Sequence, residues 1–166
     1  VEPTSSWNLF DTDVLRWLPE RQSSVDLLVQ FDQLRVAIEP EAAALAACFA
    51  TDADIEAIEK SLARIAAAEQ GPGDMQEADI AFHVAILRAS GNPFFGQFRD
   101  LVGTAIRVAG RSTGRAAAIE DPGRVFAAIR ARDPEAARAA MRALIDANMS
   151  RDRGPGSPIG HPSRED

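Results

Sequence analysis

From Val25 to about Ala50, Leu28, Phe31, Ile38, Ala42, Leu45 and Phe49 recur at one- or two-turn steps of a helix. That spacing lines up one face of a long α-helix, which other elements must then cover. Nowhere do β-branched residues alternate with polar ones over a strand's length. Alanine is abundant and tyrosine absent, which favours helix throughout. The expectation is an all-α, antiparallel helical bundle of about six to seven helices. Pro40 should kink the long helix or divide it, because proline lacks the N–H that a helix interior needs.

The breakers mark the other elements. "DTDVLRWL" forms a short first helix, Asp11 to about Leu18, ended by Pro19. Thr51 followed by Asp54 resembles a capping box, and Ile55, Ile58, Leu62 and Ile65 form the next stripe. "GPG" at 71–73 is a loop. A helix runs from about Asp74 to Ser90, and "GNP" at 91–93 supplies a C-terminal glycine, an N-cap asparagine and a first-turn proline. The next helix carries Phe94, Phe98, Leu101, Val102 and Ala105 on one side and weakens at "GRSTG" (110–114), with Arg107 and Arg111 on its solvated side. "EDPGRVFAAIRA" gives another. Asp133 and Pro134 open the last, with Ala137, Met141, Leu144 and Ile145 facing inward. The expected organisation is a linker and first helix at 1–20, a helical domain at 21–150 and a disordered tail at 151–166 holding His161.

At 166 residues the chain can bury a core as one domain. Its formal net charge of −7 argues against the basic face with which proteins grip nucleic acid. No apolar run approaches the roughly twenty residues of a transmembrane helix, and "VEPTSSWNLF" lacks the pattern of a signal peptide. Cys48 is the only cysteine, and its setting in "AALAACFA" predicts a small buried side chain. These features point to a cytoplasmic protein that spans no membrane.

Within the segment "ADIAFHVAI" (78–86), Asp79 and His83 sit one turn apart. On a helical wheel they fall with Ser90 between an Ala78, Phe82, Met75, Ile86 and Ala89 flank and an Ile80, Val84 and Leu87 flank. Polar groups in mid-arc need partners, since unpaired burial costs several kcal/mol by rough estimate. Three readings are open: a pair bonded to itself in the core, the lining of a polar ligand pocket, or half of a metal site, since Asp and neutral His at this spacing suit Zn, Ni or Mn. Arg35 and Glu39 interrupt the long helix's stripe in the same way. They make either an ion pair at the core's margin or a pocket in which Arg35 meets a carboxylate ligand. The Phe94, Phe95 and Phe98 cluster is read as core or subunit contact. There is no nucleophile–base pattern and no phosphate loop.

Three segments, "LRVAIEPEAAALAA" (34–47), "ADIAFHVAILRASGNPFF" (78–95) and "AAIRARDPEAARAAMRALI" (127–145), strongly resemble the FadR-type C-terminal ligand-binding domain of GntR transcription regulators. "WNLFDTDVLRWL" resembles the linker that follows their winged helix-turn-helix. The resemblance implies an all-α effector-binding domain, a homodimer, and operator DNA bound only through a domain upstream of Val1. A small carboxylate metabolite, such as a sugar acid or hydroxy acid, would modulate that binding. It also implies that Asp79 and His83 line the effector cavity, where many members hold a divalent metal with two further histidines. Pro122 and Leu144 stand at those two positions here. The expectation is therefore a metal-free cavity in which Arg35, Asp79 and His83 contact the effector, with Glu120 or Asp121 the substitute ligand if Zn, Ni or Mn binds. The rival classes are a metal-dependent enzyme on a helical bundle, and a dimerisation or adaptor module with a sealed core.

Overall fold

The computed structural model describes residues 24–71, 73–113 and 120–153. Seven helices account for them, without a strand among the described residues. They are α1 Ser24–Phe49, α2 Asp52–Gln70, α3 Met75–Ala89, α4 Pro93–Gly96, α5 Arg99–Thr113, α6 Glu120–Arg130 and α7 Pro134–Arg153. The helix expected at Asp11–Leu18, with the rest of the 1–20 linker, lies outside the described residues, as does His161. Helix α7 runs on to Arg153, past Arg151 where the tail was expected to begin. No described helix is long and apolar enough to cross a membrane.

The expected caps form. Asp54 N–H donates to Thr51 Oγ1 at 3.2 Å and Thr51 N–H to Asp54 Oδ2 at 2.9 Å, a closed capping box. Asn92 Oδ1 accepts from Phe94 N–H at 3.0 Å and Asp133 Oδ1 from Ala136 N–H at 3.0 Å. Helix α6 ends with Asp133 N–H bonded to Ala128 O and Arg132 N–H to Ile129 O. That closure puts Arg132 in the left-handed region at φ 58°, a place usually held by glycine.

Helix α1 lies at the centre, packed most extensively on α7 and also touching α3, α5 and α6. It is not divided at Pro40, which sits buried inside one continuous helix. Its buried face includes Phe31, Asp32, Arg35, Glu39, Ala42, Ala43, Ala46 and Ala47, with Ala50 buried just past its end. This face is rotated by roughly a quarter turn from the one marked by the large apolar residues. Small alanines let the neighbouring backbones come close, so dispersion contacts replace side-chain bulk. As a result Cys48, expected to be buried, is exposed, and Phe49, placed on the apolar stripe, is 66% exposed. Cys48 lies opposite Ala46 and Ala50 on the wheel.

The single helix expected after Pro93 is two. Gln97 N–H bonds to Phe94 O and Phe98 N–H to Phe95 O, both three-residue closures, before α5 resumes the four-residue ladder at Val102 N–H to Phe98 O. This tight turn leaves Phe94 75% exposed, not in the core, while Phe95 and Phe98 are half-buried against it.

Candidate functional site

Helix α3 buries Ala78, Asp79, Ile80, Phe82, His83, Ile86, Leu87 and Ala89, so the polar residues do lie mid-arc. Ser90 satisfies itself on Leu87 O at 2.7 Å. Asp79 and His83 face α1, which presents Asp32, Arg35 and Glu39, all buried, at successive turns. All three predicted site residues, Arg35, Asp79 and His83, are therefore gathered in one cluster across two helices. Its hub is a residue not predicted to hold that place. Glu39 is 1% exposed. One of its oxygens accepts from Arg35 Nε at 2.6 Å, and the other accepts from His83 Nδ1 in a very short bond. The ion pair thus belongs to the middle of the interface and not to its margin. Asp32, 5% exposed, was also overlooked and adds negative charge near Arg35.

The pKa shifts follow from the pairing. For His83, burial is the largest single influence and disfavours the charged ring. The Glu39 charge, the Asp79 carboxylate and the Nδ1 bond together outweigh it and raise the pKa to about 9. Burial also pushes Glu39 up, but Arg35 and His83 hold it down at about 2. Arg35 is raised, because Glu39 overcomes the effect of burial. The pairing with Glu39 and Asp79 favours the protonated ring of His83, with Nδ1–H committed to Glu39.

Its other nitrogen is the chemically open one. Arg35 NH2 stands 3.4 Å from His83 Nε2. With the ring protonated both groups are donors, so the contact is two N–H groups side by side and not a hydrogen bond. Asp79 Oδ1 lies 3.6 Å from the same nitrogen, an ion-pair distance. That oxygen is buried and has no hydrogen-bond partner. Its side chain, 12% exposed against 0 to 3% for His83, Glu39 and Arg35, is the edge of the cluster nearest solvent.

A metal ligand must present a free lone pair; in this arrangement Nδ1 of His83 is turned to Glu39 and Nε2 to the Arg35 guanidinium and Asp79. Leu144 and Pro122, at the two positions where the family resemblance puts further histidines, are both buried. Among the described residues no group of three or more His, Cys, Asp or Glu could hold a metal. The side chains of Glu120 and Asp121 lie outside the described residues. A groove of about 450 Å³ on the other side of α3, lined by Lys60, Arg64, Ile80, Val84 and Arg88 among others, contains none of the predicted site residues.

Residues 32–147 match the family model of the FCD domain. The chain is 31% identical over 157 residues to the galactonate operon transcriptional repressor of Escherichia coli (strain K12), covering 91% of this chain and 69% of that protein. It is 30% identical over 103 residues to the uncharacterized HTH-type transcriptional regulator YieP of the same strain, covering 61% of this chain and 45% of that one. Among solved structures it resembles the Streptococcus agalactiae GntR, with a TM-score of 0.67 and 24% identity over 78% of this chain and 61% of that one, a likeness of fold. The match over most of the helical bundle and the identity to the galactonate operon repressor place the chain in the GntR family of transcription regulators, of which it carries the FCD domain.

Proposed function

We propose that this domain is the effector sensor of its regulator. In this reading it binds a small carboxylate metabolite, a sugar acid or hydroxy acid, directly through Arg35 and His83, with no intervening metal. The observation that supports it is that Arg35 NH2 and His83 Nε2 lie 3.4 Å apart within the buried cluster, while Arg35 Nε and His83 Nδ1 are taken up by Glu39. Two adjacent donors of fixed geometry match the two oxygens of a carboxylate. The name of the galactonate operon relative points to the same class of ligand.

Signalling then needs only differential affinity. Arg35 and Glu39 belong to α1 and His83 to α3, so a ligand that draws Arg35 away from Glu39 favours one packing of these helices over another. In this reading the operator-reading domain lies in the part of its relatives that this chain does not span, and the change is passed to it in a cytoplasmic homodimer. The chemistry is binding and not catalysis.

The test is a thermal-shift series with galactonate, lactate and other small acids on the parent chain and on Arg35→Lys and His83→Asn. At a hundredfold excess over Kd an acid should add about 2.7 kcal/mol of stability, or roughly 5–10 °C for a chain of this size. Either substitution should shrink the shift while helical circular dichroism holds. Equal shifts in parent and both variants, or none with any acid, would overturn the proposal.

A further inference from the structure

Helix α2 packs chiefly on α3, with a smaller contact to α6, and no described element covers the groove of about 450 Å³ between α2 and α3. The groove follows one face of each helix, from Ala57 to Arg64 on α2 and from Glu77 to Arg88 on α3. Its floor is apolar and low, formed by Ile80, Ala81 and Val84, which leaves room for another helix backbone to come close. Its walls are basic. Arg64 stands on α2 and Arg88 on α3, both exposed, and neither has an ion-pair partner among the described residues. The other charges there are already matched, Lys60 by Glu56 and Glu77 by Arg107.

Shape and charge together call for an amphipathic helix with acidic flanks. The segment 7–18, "WNLFDTDVLRWL", outside the described residues, has that pattern. Drawn as a helix, Trp7, Phe10, Val14, Trp17 and Leu18 fall within an arc of roughly 100°. Asp11 borders that arc on one side and Asp13 on the other, with Arg16 opposite. An acid on each side of an apolar stripe matches an arginine on each wall of an apolar groove. The lengths agree as well, since the segment and the α3 wall from Glu77 to Arg88 are each about 18 Å long as helices. The connection also reaches. Phe49 at the end of α1 lies beside Gly91 just past α3, and Glu39 meets His83 at mid-helix, so α1 and α3 run parallel. Ser24 therefore lies at the Glu77 end of the groove. Residues 19–23 span up to about 20 Å when extended, about twice the diameter of a helix. The segment can pass round α3 and lie in the groove with Leu18 toward Glu77 and Trp7 toward Arg88.

We propose that the groove between α2 and α3 is the docking site of this chain's own segment 7–18, its apolar stripe seated on Ile80, Ala81 and Val84 and its Asp11 and Asp13 set against Arg64 and Arg88. Helix α3 then carries the segment on one face and the Arg35, Glu39 and His83 cluster on the other. The proposal does not depend on the acid-sensing reading.

Trp7 and Trp17 are the only tryptophans of the chain, so tryptophan emission and its quenching by acrylamide report on this segment alone. Both are measured on the parent chain, on Ala81→Glu, on the double variant Arg64→Glu with Arg88→Glu, and on a peptide of residues 1–23 as the free reference. The parent should emit to the blue of the peptide and resist quenching. Ala81→Glu, which raises and charges the floor, should give the peptide's emission and quenching with helical circular dichroism held. Turning two ion pairs into repulsions should lower the docked-to-free ratio about tenfold, and adding Asp11→Arg and Asp13→Arg to that background should restore the protection. Parent tryptophans as exposed as those of the peptide overturn the proposal. Equal protection in the parent and both groove variants overturns it too, since the segment then lies elsewhere. Protection lost on dilution overturns it in favour of a segment supplied by a second copy. If the groove variants do not fold, Asp11→Arg with Asp13→Arg in the parent background decides the matter: loss of protection supports the proposal and full protection overturns it.

Discussion

Replacing Glu39 by glutamine tests the hub of the cluster while keeping its shape. In the parent, Glu39 accepts from Arg35 Nε at 2.6 Å and from His83 Nδ1, both fully inside the protein. The substitution removes the negative charge and leaves a guanidinium and an imidazole buried beside each other. Each charge-assisted bond is worth about 1.5–3 kcal/mol, and breaking one member out of a buried ion pair costs about 3–5 kcal/mol. Because the amide oxygen can still accept from one of the two donors, the expected loss is about 3 kcal/mol. Urea unfolding followed by circular dichroism reads this as a lower midpoint at unchanged slope, and thermal unfolding as a fall of roughly 6–12 °C. The His83 ring should respond in parallel. Its proton is held chiefly by Glu39 against burial, so its resonance in a proton NMR titration should move from a midpoint near 9 in the parent to a markedly lower one. A loss under about 1 kcal/mol, with the His83 midpoint unmoved, would refute the assignment of Glu39 as the bridge between α1 and α3.

Three further outcomes follow from the same geometry. The raised His83 contributes stability that is complete below its unfolded value near 6.5 and lost as pH rises through about 9. The lowered Glu39 contributes stability that is complete above 4.5 and lost as pH falls through about 2. Midpoint against pH should therefore show a plateau from about 4.5 to 6.5 with a fall on either side; a midpoint still climbing between pH 7 and 9 would contradict the His83 assignment. Arg132→Gly relieves a left-handed backbone at φ 58° and should raise stability by about 1 kcal/mol. A loss instead would show that the side-chain contact of Arg132 with Ala47 O, at 3.4 Å, is the stronger effect. Thr51→Ala opens the capping box of α2 and should cost about 1 kcal/mol by chemical denaturation; no change there would show that tertiary packing alone holds the start of α2.

What could be read from the sequence was local. Thr51 with Asp54, Asn92 with Pro93, and Asp133 with Pro134 are caps whose partners lie within three residues, and each forms as expected. The polar insertion in α3 was legible because a wheel places Asp79 and His83 between two apolar flanks. The face of α1 was misjudged because size was taken as the guide. Ala42, Ala43, Ala46 and Ala47 are wholly buried while Phe49 is exposed, since close helix packing selects small side chains at the contact. The division at Gln97–Phe98 also escaped notice, because Phe94, Phe98 and Val102 keep helical spacing straight across it. Glu39 as bridge could not be found at all by periodicity. Its partner His83 is 44 positions away, and only the packing of α1 on α3 brings them together. The lone visible signal was two ionisable residues on each of two apolar faces. That signal indicates a shared cluster but not its connectivity.

The central claim is that Arg35 and the protonated His83 bind an acid without a metal. The most direct measurement is a calorimetric titration of this chain with galactonate and lactate, before and after exhaustive chelation, with elemental analysis of the gently purified protein. The account predicts an acid affinity unchanged by chelation and no stoichiometric metal. Binding that vanishes with the chelator and returns with Zn²⁺, Ni²⁺ or Mn²⁺ would contradict it, since His83 Nε2 would then have to release any proton to solvent and give its lone pair to the metal.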